Sequence, residues 1–510
     1  MDRISRYFPL LVLETVVFMS GCGGRGAAPV TPVTPSSTYT VVAISDIHFN
    51  PLADKVSPLA DPALLKQLLS TDVRKWQSVF EANQNANPAS PSIVGADTNY
   101  PALVLALAAI KQNIGNSPVV IFSGDMLAHD LPEWYCAITS VPPKVVTSTP
   151  YPNPCTLSTD GAAQMRTFLD NTIIFLSTQI RANVGKVPVI FVPGNIDTYS
   201  PYGTGPDATF LSDNASTLYT QLVNGSTSNE AAFQNSFTTL GSYTAEPLGS
   251  DLLVIALDSN PFAQSPYVPP LNPYAELEWL NSQLAAAQSA GQKVWLIMHV
   301  PPGANTTGTA QVVGTTTPIQ ITDDETSMMW QPQYQLGFMQ ILAQYPGLVT
   351  MIITGHTHMD EFRILPTGDV MFGLPGISPV FGNNPAFKIF TMSRATEMPM
   401  DYQSISYNQF GPPATTQYTS LYTFSTVYGA TSGTSLQTSS QELYPQLTPG
   451  SALTADFINY YDSGNAATYI SPKTGNIASF NMATPANWSL FGCGISQMDK
   501  QDYVGCVNTY

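Results

Sequence analysis

From Tyr39 to Ser378 the sequence repeats one pattern: a short run rich in Val, Ile and Phe, then a turn with Gly or Asp, and often a helical stretch. This alternation is typical of an α/β domain. The apolar runs predict strands at Tyr39–Ile44, Val119–Phe122, Val187–Val192, Leu252–Leu257, Val294–Met298 and Val349–Ile353. The stretches between them predict helices at Pro101–Lys111, Ala162–Val184 and Tyr274–Ser289.

Composition limits the function. The chain has 510 residues, of which 44% are hydrophobic, so it can bury the core of one large domain with additions. There are 18 Lys and Arg residues against 35 Asp and Glu residues, which gives a net charge of -17. Binding to a nucleic-acid backbone requires clustered Lys and Arg, and the sequence contains no such cluster. We therefore do not expect a nucleic-acid scaffold as a partner.

The N-terminus has the features of an export signal. Arg3 and Arg6 precede the mostly apolar segment Tyr7–Met19, and a Ser-Gly-Cys sequence ends at Cys22. This ending resembles a bacterial lipobox, which implies cleavage before Cys22, lipid attachment to its thiol, and a membrane-anchored protein in the periplasm or on the outer surface. An ordinary cleaved signal peptide or a membrane anchor is the alternative, but the apolar segment is shorter than the roughly 20 residues of a spanning helix.

The remaining cysteines predict two disulfides. Of five cysteines, four are left after Cys22, an even number in an exported chain. Closeness in sequence favours Cys136 with Cys155 and Cys493 with Cys506, although the sequence alone does not fix the pairing.

The region after Met400 differs in composition from the rest. No charged residue occurs from Gln403 to Gln441, where Thr, Ser, Tyr and Gln dominate. Such a stretch is either a disordered polar linker or, as its tyrosines and phenylalanines suggest, a packed segment.

Candidate metal ligands stand at the ends of the predicted strands. All five histidines of the chain fall at or beyond such ends, together with Gly-Asp and Gly-Asn pairs. Because side chains at i and i+2 of a strand share a side, we expect Asp46 with His48, and His356 with His358, to be paired donors. A glycine precedes Asp125, Asn195 and His356 and allows a sharp turn.

These donors suit a phosphoester hydrolase. Carboxylate, imidazole and amide groups bind zinc, manganese or iron, and a carboxylate can bridge two ions. Two such ions can hold a hydroxide between them and clamp a phosphoryl group during in-line displacement. Each motif by itself is also compatible with a residue that only satisfies local hydrogen bonds. The ordered set predicts a dinuclear site, for which we expect zinc, with manganese or iron as alternatives.

In that order the motifs resemble the five-block signature of the calcineurin-like metallophosphoesterases, from Tyr39 to Arg394. The resemblance implies a β-sandwich flanked by helices, with a small C-terminal accessory region. It also implies that Asp125 bridges the two metals. The first metal would be held by Asp46, His48, Asp125 and His358, and the second by Asp125, Asn195, His299 and His356.

Three further segments are similar to acid sphingomyelinase-like phosphodiesterases: Gly95–Tyr100, Gly124–Asp130 and Gly382–Lys388. This resemblance implies hydrolysis of a small-molecule or lipid phosphodiester outside the cytoplasm. A phosphomonoesterase, nucleotide hydrolase or polyphosphate hydrolase on the same core is an alternative, and a catalytically weak metal-containing binding lipoprotein is another.

One position departs from the family pattern. The family usually has Gly-Asn-His followed by an acidic residue, whereas this chain has Ile196 between Asn195 and Asp197. The imidazole that would assist the leaving group is therefore missing at residue 196. We predict that His129, in the extended Gly124–Asp130 block, supplies the proton instead. The predicted segments are a lipoprotein signal peptide at 1–22, a flexible tether at 23–38, a catalytic domain at 39–402 and a polar region with a disulfide at 403–510.

The lipobox makes a direct prediction. Cys22→Ala should remove both membrane attachment and label incorporated from a fatty-acid precursor, because the acylated thiol is lost. Cell fractionation and labelling measure this, with Ser36→Ala in the tether as the control. A Cys22→Ala protein that still sediments with membranes and carries label would rule out the lipoprotein assignment.

Overall fold

The described part of the chain contains two β-sheets and the helices that flank them. A computed structural model describes residues 37–53, 62–86, 90–92, 94–139, 157–200, 205–226, 229–264, 271–313, 319–408, 415–431, 433–464 and 483–510. The predicted signal peptide with Cys22, nearly all of the tether, and Cys155 lie outside these residues, so the Cys136–Cys155 disulfide stays a prediction.

Each sheet has six strands. The strands are β1 (Thr38–Ile44), β2 (Val120–Phe122), β3 (Val189–Phe191), β4 (Tyr243–Ala245), β5 (Leu252–Ala256), β6 (Lys293–Ile297), β7 (Val349–Thr354), β8 (Phe362–Ile364), β9 (Val370–Gly373), β10 (Ala386–Ser393), β11 (Pro399–Ser406) and β12 (Thr419–Thr423). The first sheet has the order β12-β11-β10-β1-β2-β3 and the second β4-β5-β6-β7-β9-β8. Strands β1 to β3 are parallel in the first sheet, and β5, β6, β7 and β9 are parallel in the second.

The described helices surround these sheets. They are α1 (Pro62–Leu69), α2 (Trp76–Ala86), α3 (Tyr100–Asn113), α4 (Leu131–Thr139), α5 (Thr159–Val184), α6 (Ala208–Leu218), α7 (Glu230–Leu240), α8 (Pro273–Ala290), α9 (Thr306–Val313), α10 (Pro332–Leu342), α11 (Phe424–Tyr428), α12 (Leu436–Leu443), α13 (Ala452–Tyr461), α14 (Trp488–Gly494) and α15 (Lys500–Thr509). Among them, no helix combines the length and hydrophobicity needed to cross a bilayer.

The two sheets pack face to face. Along β5, Val254 and Ala256 belong to a large core that also contains residues of the first sheet, whereas Leu253 and Ile255 pack in a smaller core with α8 and α10. Phe372 of β9 and Phe390 of β10 stack edge to face across the sheets, with ring centroids 5.9 Å apart. The alternation of residues along β5 between the two cores follows from the two-residue period of a strand. The predicted α/β sandwich with flanking helices is confirmed.

The six predicted strands correspond to β1, β2, β3, β5, β6 and β7, and the three predicted helices correspond to α3, α5 and α8. The strands that the apolar-run pattern missed are short or half-exposed. In β10, for example, buried Phe390 alternates with half-buried Ile389 and Thr391. Such strands carry no continuous apolar run and are held by pairing with β1 instead.

The polar C-terminal stretch is packed where the structure describes it. Strand β11 runs through the predicted boundary at residue 402, β12 and α11 follow within the uncharged segment, and α12 begins in it. Further on, α14 packs against α9, and a disulfide joins Cys493 in α14 to Cys506 in α15, with a Cα–Cα distance of 5.9 Å. The described part of this region therefore agrees with the second alternative, a packed segment.

A buried charge pair joins the sheets. The Nζ of Lys388 on β10 lies 2.7 Å from Oδ1 of Asp360 and donates to the carbonyl oxygen of Gly373 on β9 at 2.8 Å. The side chains of Lys388 and Asp360 are both inaccessible to solvent. Burial lowers the pKa of Lys388, and Asp360 opposes that shift. Each charge is therefore tolerated only because the other is present.

Lys388→Met should lower the free energy of unfolding by about 3–5 kcal/mol, because it leaves a buried carboxylate without its counter-charge. Chemical denaturation measures this. The matched control is Lys111→Met on α3, where the lysine is exposed and the same change should have little effect. Equal losses in the two variants would contradict the structural importance of the pair.

Candidate metal centre

The predicted ligands gather in the loops that follow five parallel strands. Asp46 and His48 follow β1, Asp125 follows β2 and Asn195 follows β3. From the second sheet, His299 follows β6, and His356 and His358 follow β7. The carboxyl ends of neighbouring parallel strands lie at the same edge of a sheet. The loops that follow these strands therefore meet where the two sheets adjoin.

Four of these side chains form a first group. The Nε2 atom of His48 lies 3.3 Å from Oδ2 of Asp125, 3.9 Å from Oδ1 of Asp46 and 3.1 Å from Nε2 of His358. Nε2 of His358 is 3.5 Å from Oδ1 of Asp46.

A second group lies on the other side of Asp125. Nε2 of His299 lies 3.1 Å from Oδ2 of Asp125 and 2.9 Å from Oδ1 of Asn195. Nδ1 of His356 lies 2.7 Å from the same Asn195 oxygen. Both groups therefore share Oδ2 of Asp125, while its Oδ1 accepts a hydrogen bond from the Ile196 amide at 2.9 Å.

Backbone carbonyls fix the orientation of three imidazoles. Nδ1 of His48 contacts the carbonyl oxygen of Leu127 at 2.9 Å, and Nδ1 of His299 contacts that of Ser123 at 2.7 Å. Nδ1 of His358 contacts the carbonyl oxygen of Ser378 at 3.2 Å. Each carbonyl contact directs Nε2 of the ring toward the centre, which is how proteins orient metal-binding histidines.

The i, i+2 argument from the sequence was wrong in its geometry, because these donors stand beyond the strands. Asp46, His48, Asp125, His356 and His358 all have left-handed backbone conformations, with φ between 44° and 70°. A non-glycine residue rarely adopts this region, and such residues concentrate at functional sites. Because of these turns, His356 contacts Asn195 and His358 lies beside Asp46. The two histidines therefore belong to different groups.

Glycine is required at two positions for different reasons. Gly124 has φ of 99°, and an added Cβ would meet Nδ1 of His299 at 2.7 Å. At Gly194 the conformation is ordinary, but a Cβ would collide with the side chain of Asp125. The first glycine thus permits a turn, whereas the second permits close approach of two loops.

Asp197 is a residue of the site to which the sequence analysis assigned no role. Its carboxylate accepts hydrogen bonds from the amides of Asp125 at 3.1 Å, Met126 at 2.8 Å and Gly194 at 2.9 Å. Asp197 therefore positions the loop that presents Asp125. The acidic residue two places after Asn195 was the signal that could have identified it.

The electrostatics centre on Asp125. Burial alone would raise its pKa, but the imidazoles of His299 and His48 hold it well below its ordinary value. Burial alone would lower the pKa of His48 and of His299, but Asp125 raises each to about 9. Burial, and after it repulsion from His299, lower the pKa of His356 to about 3, and Asp125 opposes this shift only in part.

This donor set fits divalent cations. Ligand atoms of Asp46, His48 and Asp125 lie within 4.8 Å of one another, as do those of Asp125, His299 and His356. In the absence of a cation, protons on the imidazoles balance the buried carboxylate, and metal binding would replace those protons. Mixed nitrogen and oxygen ligands suit zinc, manganese or iron.

His129 lies beside the first group, held by Asp97. Nδ1 of His129 is 2.9 Å from Oδ1 of Asp97, and its ring stacks on His48 with centroids 3.9 Å apart. The sequence analysis gave Asp97 no role, although it stands in the quoted block Gly95–Tyr100. Ile196, by contrast, is 3% exposed and packs in the large core.

An open cavity of about 220 Å³ borders these donors. The described lining residues are Asp125, His129, Asn195, Asn305, Thr306, Thr307, Gly308, Gln311, Met329, His356, Thr357, His358, Met359 and Phe381.

Curated relatives of this chain are phosphodiesterases. The chain is 25% identical over 370 residues to "Sphingomyelinase phosphodiesterase D" of Dictyostelium discoideum, covering 68% of this chain and 70% of that protein. "Sphingomyelinase phosphodiesterase C" of the same organism is 25% identical over 48% of this chain and 54% of its own length. Human "Sphingomyelin phosphodiesterase" is 24% identical over 27% of this chain and 20% of its own length.

Among solved structures, a dimetal phosphatase from Danio rerio aligns with 75% of this chain and 98% of its own, at 12% identity and a TM-score of 0.36. The family model described as calcineurin-like phosphoesterase matches residues 39–360, which span all five loops and all seven predicted ligands. The match covers more than half of the chain. The protein therefore belongs to the calcineurin-like phosphoesterase family.

Proposed function

We propose that the protein is a phosphodiesterase that uses two divalent metal ions, for which we expect zinc, with manganese or iron as alternatives. The observation that supports this most directly is the position of Asp125, whose Oδ2 lies 3.3 Å from Nε2 of His48 and 3.1 Å from Nε2 of His299. One carboxylate oxygen thus faces a donor of each group, as a bridging ligand must.

In this proposal Asp46, His48, Asp125 and His358 hold one ion, and Asp125, Asn195, His299 and His356 hold the other. The chemistry supplied by two bound divalent ions is activation of water and neutralisation of charge on the phosphoryl oxygens. The chain keeps the ligands in place through the carbonyl contacts of the imidazoles and the amide contacts of Asp197.

We further propose that His129 protonates the leaving oxygen. The chain has five histidines, and four of them belong to the two ligand groups, so His129 is the one imidazole left. It lines the cavity, and its Nδ1 contacts Oδ1 of Asp97, which orients the ring. Ile196 is buried in the core and has no acidic proton to give. This arrangement suits an alkyl phosphate ester, whose alkoxide leaving group requires a proton.

The similarity to sphingomyelin phosphodiesterases supports a small-molecule or lipid phosphodiester as the substrate class. Export as a lipoprotein anchored through Cys22 in the periplasm or on the outer surface is part of the same proposal and rests on the N-terminal sequence. A phosphomonoesterase, a nucleotide or polyphosphate hydrolase, and a metal-containing binding lipoprotein are the alternatives that the experiments below distinguish.

Metal analysis tests the two-ion site. Purified protein should contain about two transition-metal ions per chain. Asp125→Asn should lower occupancy of both sites, whereas His48→Gln should mainly remove one ion, because only Asp125 contacts both groups. Asp160→Asn on the exposed start of α5 is the control and should keep both ions. One ion or none in the parent protein would refute the dinuclear proposal.

Leaving-group dependence tests His129. His129→Gln should slow hydrolysis of alkyl phosphodiesters about 10²- to 10⁴-fold, because an alkoxide needs general-acid assistance. Nitrophenyl phosphodiesters should be much less affected, since a phenolate departs without a proton. Asp97→Asn should give the same pattern with a smaller loss, as it only orients the imidazole. Metal content should not change. Equal losses on both ester types would exclude His129 as the proton donor, and cleavage of terminal phosphates alone would favour the monoesterase.

A further inference from the structure

Part of the described cavity lining carries neither a charged side chain nor a candidate ligand. Asn305 and the first turn of α9 form it, and Thr307 and Gln311 line the cavity from positions four residues apart, which share one face of a helix. Val312, the next residue, is 64% exposed and does not line the cavity. We call Asn305, Thr307 and Gln311 the α9 wall.

No Lys or Arg occurs among the described residues that line the cavity. The nearby cation Arg363 is buried behind the start of α9, where it donates to the carbonyl oxygen of Pro302 at 2.8 Å and pairs with Glu361 at 3.1 Å. Its charge is thus already compensated. A second phosphate on the substrate would therefore meet no free cation among the described lining residues, in a chain with a net charge of -17.

The wall is held in place from both ends. Oδ1 of Asn305 accepts from the Gly308 amide at 2.8 Å and so caps α9. The hydroxyl of Thr309 accepts from the Ser327 amide at 3.1 Å. From the C-terminal region, α14 packs so closely that a Cβ on Gly494 would collide with Thr306. A wall fixed in this way can present hydrogen-bonding groups at defined positions.

We propose that the α9 wall is the subsite that binds the non-phosphate part of a singly charged phosphodiester through neutral hydrogen bonds, and that its lack of cations selects against substrates with a second phosphate. The inference rests on the proposed phosphodiesterase function and deepens it. It gives the C-terminal region a role as well, because α14 positions α9.

Two matched esters test the charge selectivity. The p-nitrophenyl ester of thymidine 5′-phosphate and its 3′-phosphorylated analogue share the scissile bond and the leaving group and differ by one phosphate. The parent protein should prefer the first ester. Gln311→Lys should raise the ratio of kcat/KM for the second ester to kcat/KM for the first about fivefold or more, because it adds one cation to the wall. Val312→Lys, which adds the same charge outside the cavity, is the control.

A second pair tests the hydrogen bonds. Gln311→Ala and Thr307→Val should raise KM for the thymidine ester by about fivefold each, the usual effect of one neutral hydrogen bond. They should not change KM for methyl p-nitrophenyl phosphate, which has no group to reach the wall. Metal content should equal that of the parent.

Binding separates the subsite from catalysis. Calorimetry with thymidine 5′-phosphate and thymidine 3′,5′-bisphosphate on metal-loaded protein should show the same preferences as the kinetics. If these preferences hold while the parent cleaves none of the esters, the subsite is supported and the proposed function is overturned. If the parent cleaves the esters but Gln311→Lys behaves like Val312→Lys, the subsite is overturned and the proposed function stands.

Discussion

The site depends on one buried carboxylate. Asp125 is 2% exposed, and a buried charge is costly unless its surroundings compensate it. Each oxygen has its own partners: the Ile196 amide contacts Oδ1, while His48 and His299 face Oδ2. Since those two histidines come from different sheets, the need to compensate Asp125 also fixes how the two sheet edges meet. Asp197 accepts hydrogen bonds from the amides of Asp125 and Met126, so it stabilises the loop that carries the buried carboxylate.

Bringing the seven candidate ligands together requires unusual backbone conformations in the loops that carry them. Left-handed residues cost of order 1–3 kcal/mol each, and five of the seven candidate ligands adopt this conformation. Hydrogen bonds between the loops stabilise them: the amide of Asp46 donates to Gly124 at 3.0 Å, and that of His48 donates to Asp125 at 3.0 Å. The strain is offset by the sandwich core and by cross-sheet contacts such as Lys388 with Asp360.

The C-terminal region is integrated with the family domain instead of being appended to it. Strands β11 and β12 extend the first sheet beyond β10, and the amide of Ile364 on β8 donates to Ile495 at 2.7 Å. Because α14 packs on α9, a region with no candidate ligand adjoins the cavity wall. The uncharged composition after Gln403 is therefore compatible with a packed, half-exposed sheet edge, where the aromatic side chain of Tyr422 is buried.

The sequence by itself determined the α/β class, the central strands and the seven candidate ligands, because apolar runs and the motifs at their ends are local patterns. The family resemblance implied which ligands share a group, but only the tertiary structure decided the contacts that bring them together. His356 and His358 are two residues apart but face Asn195 and Asp46, contacts that join positions far apart in the chain. It also placed Asp97 against His129 and buried Ile196. No local pattern specifies such contacts, since they arise from how two sheets pack and from turns that no longer follow the period of a strand.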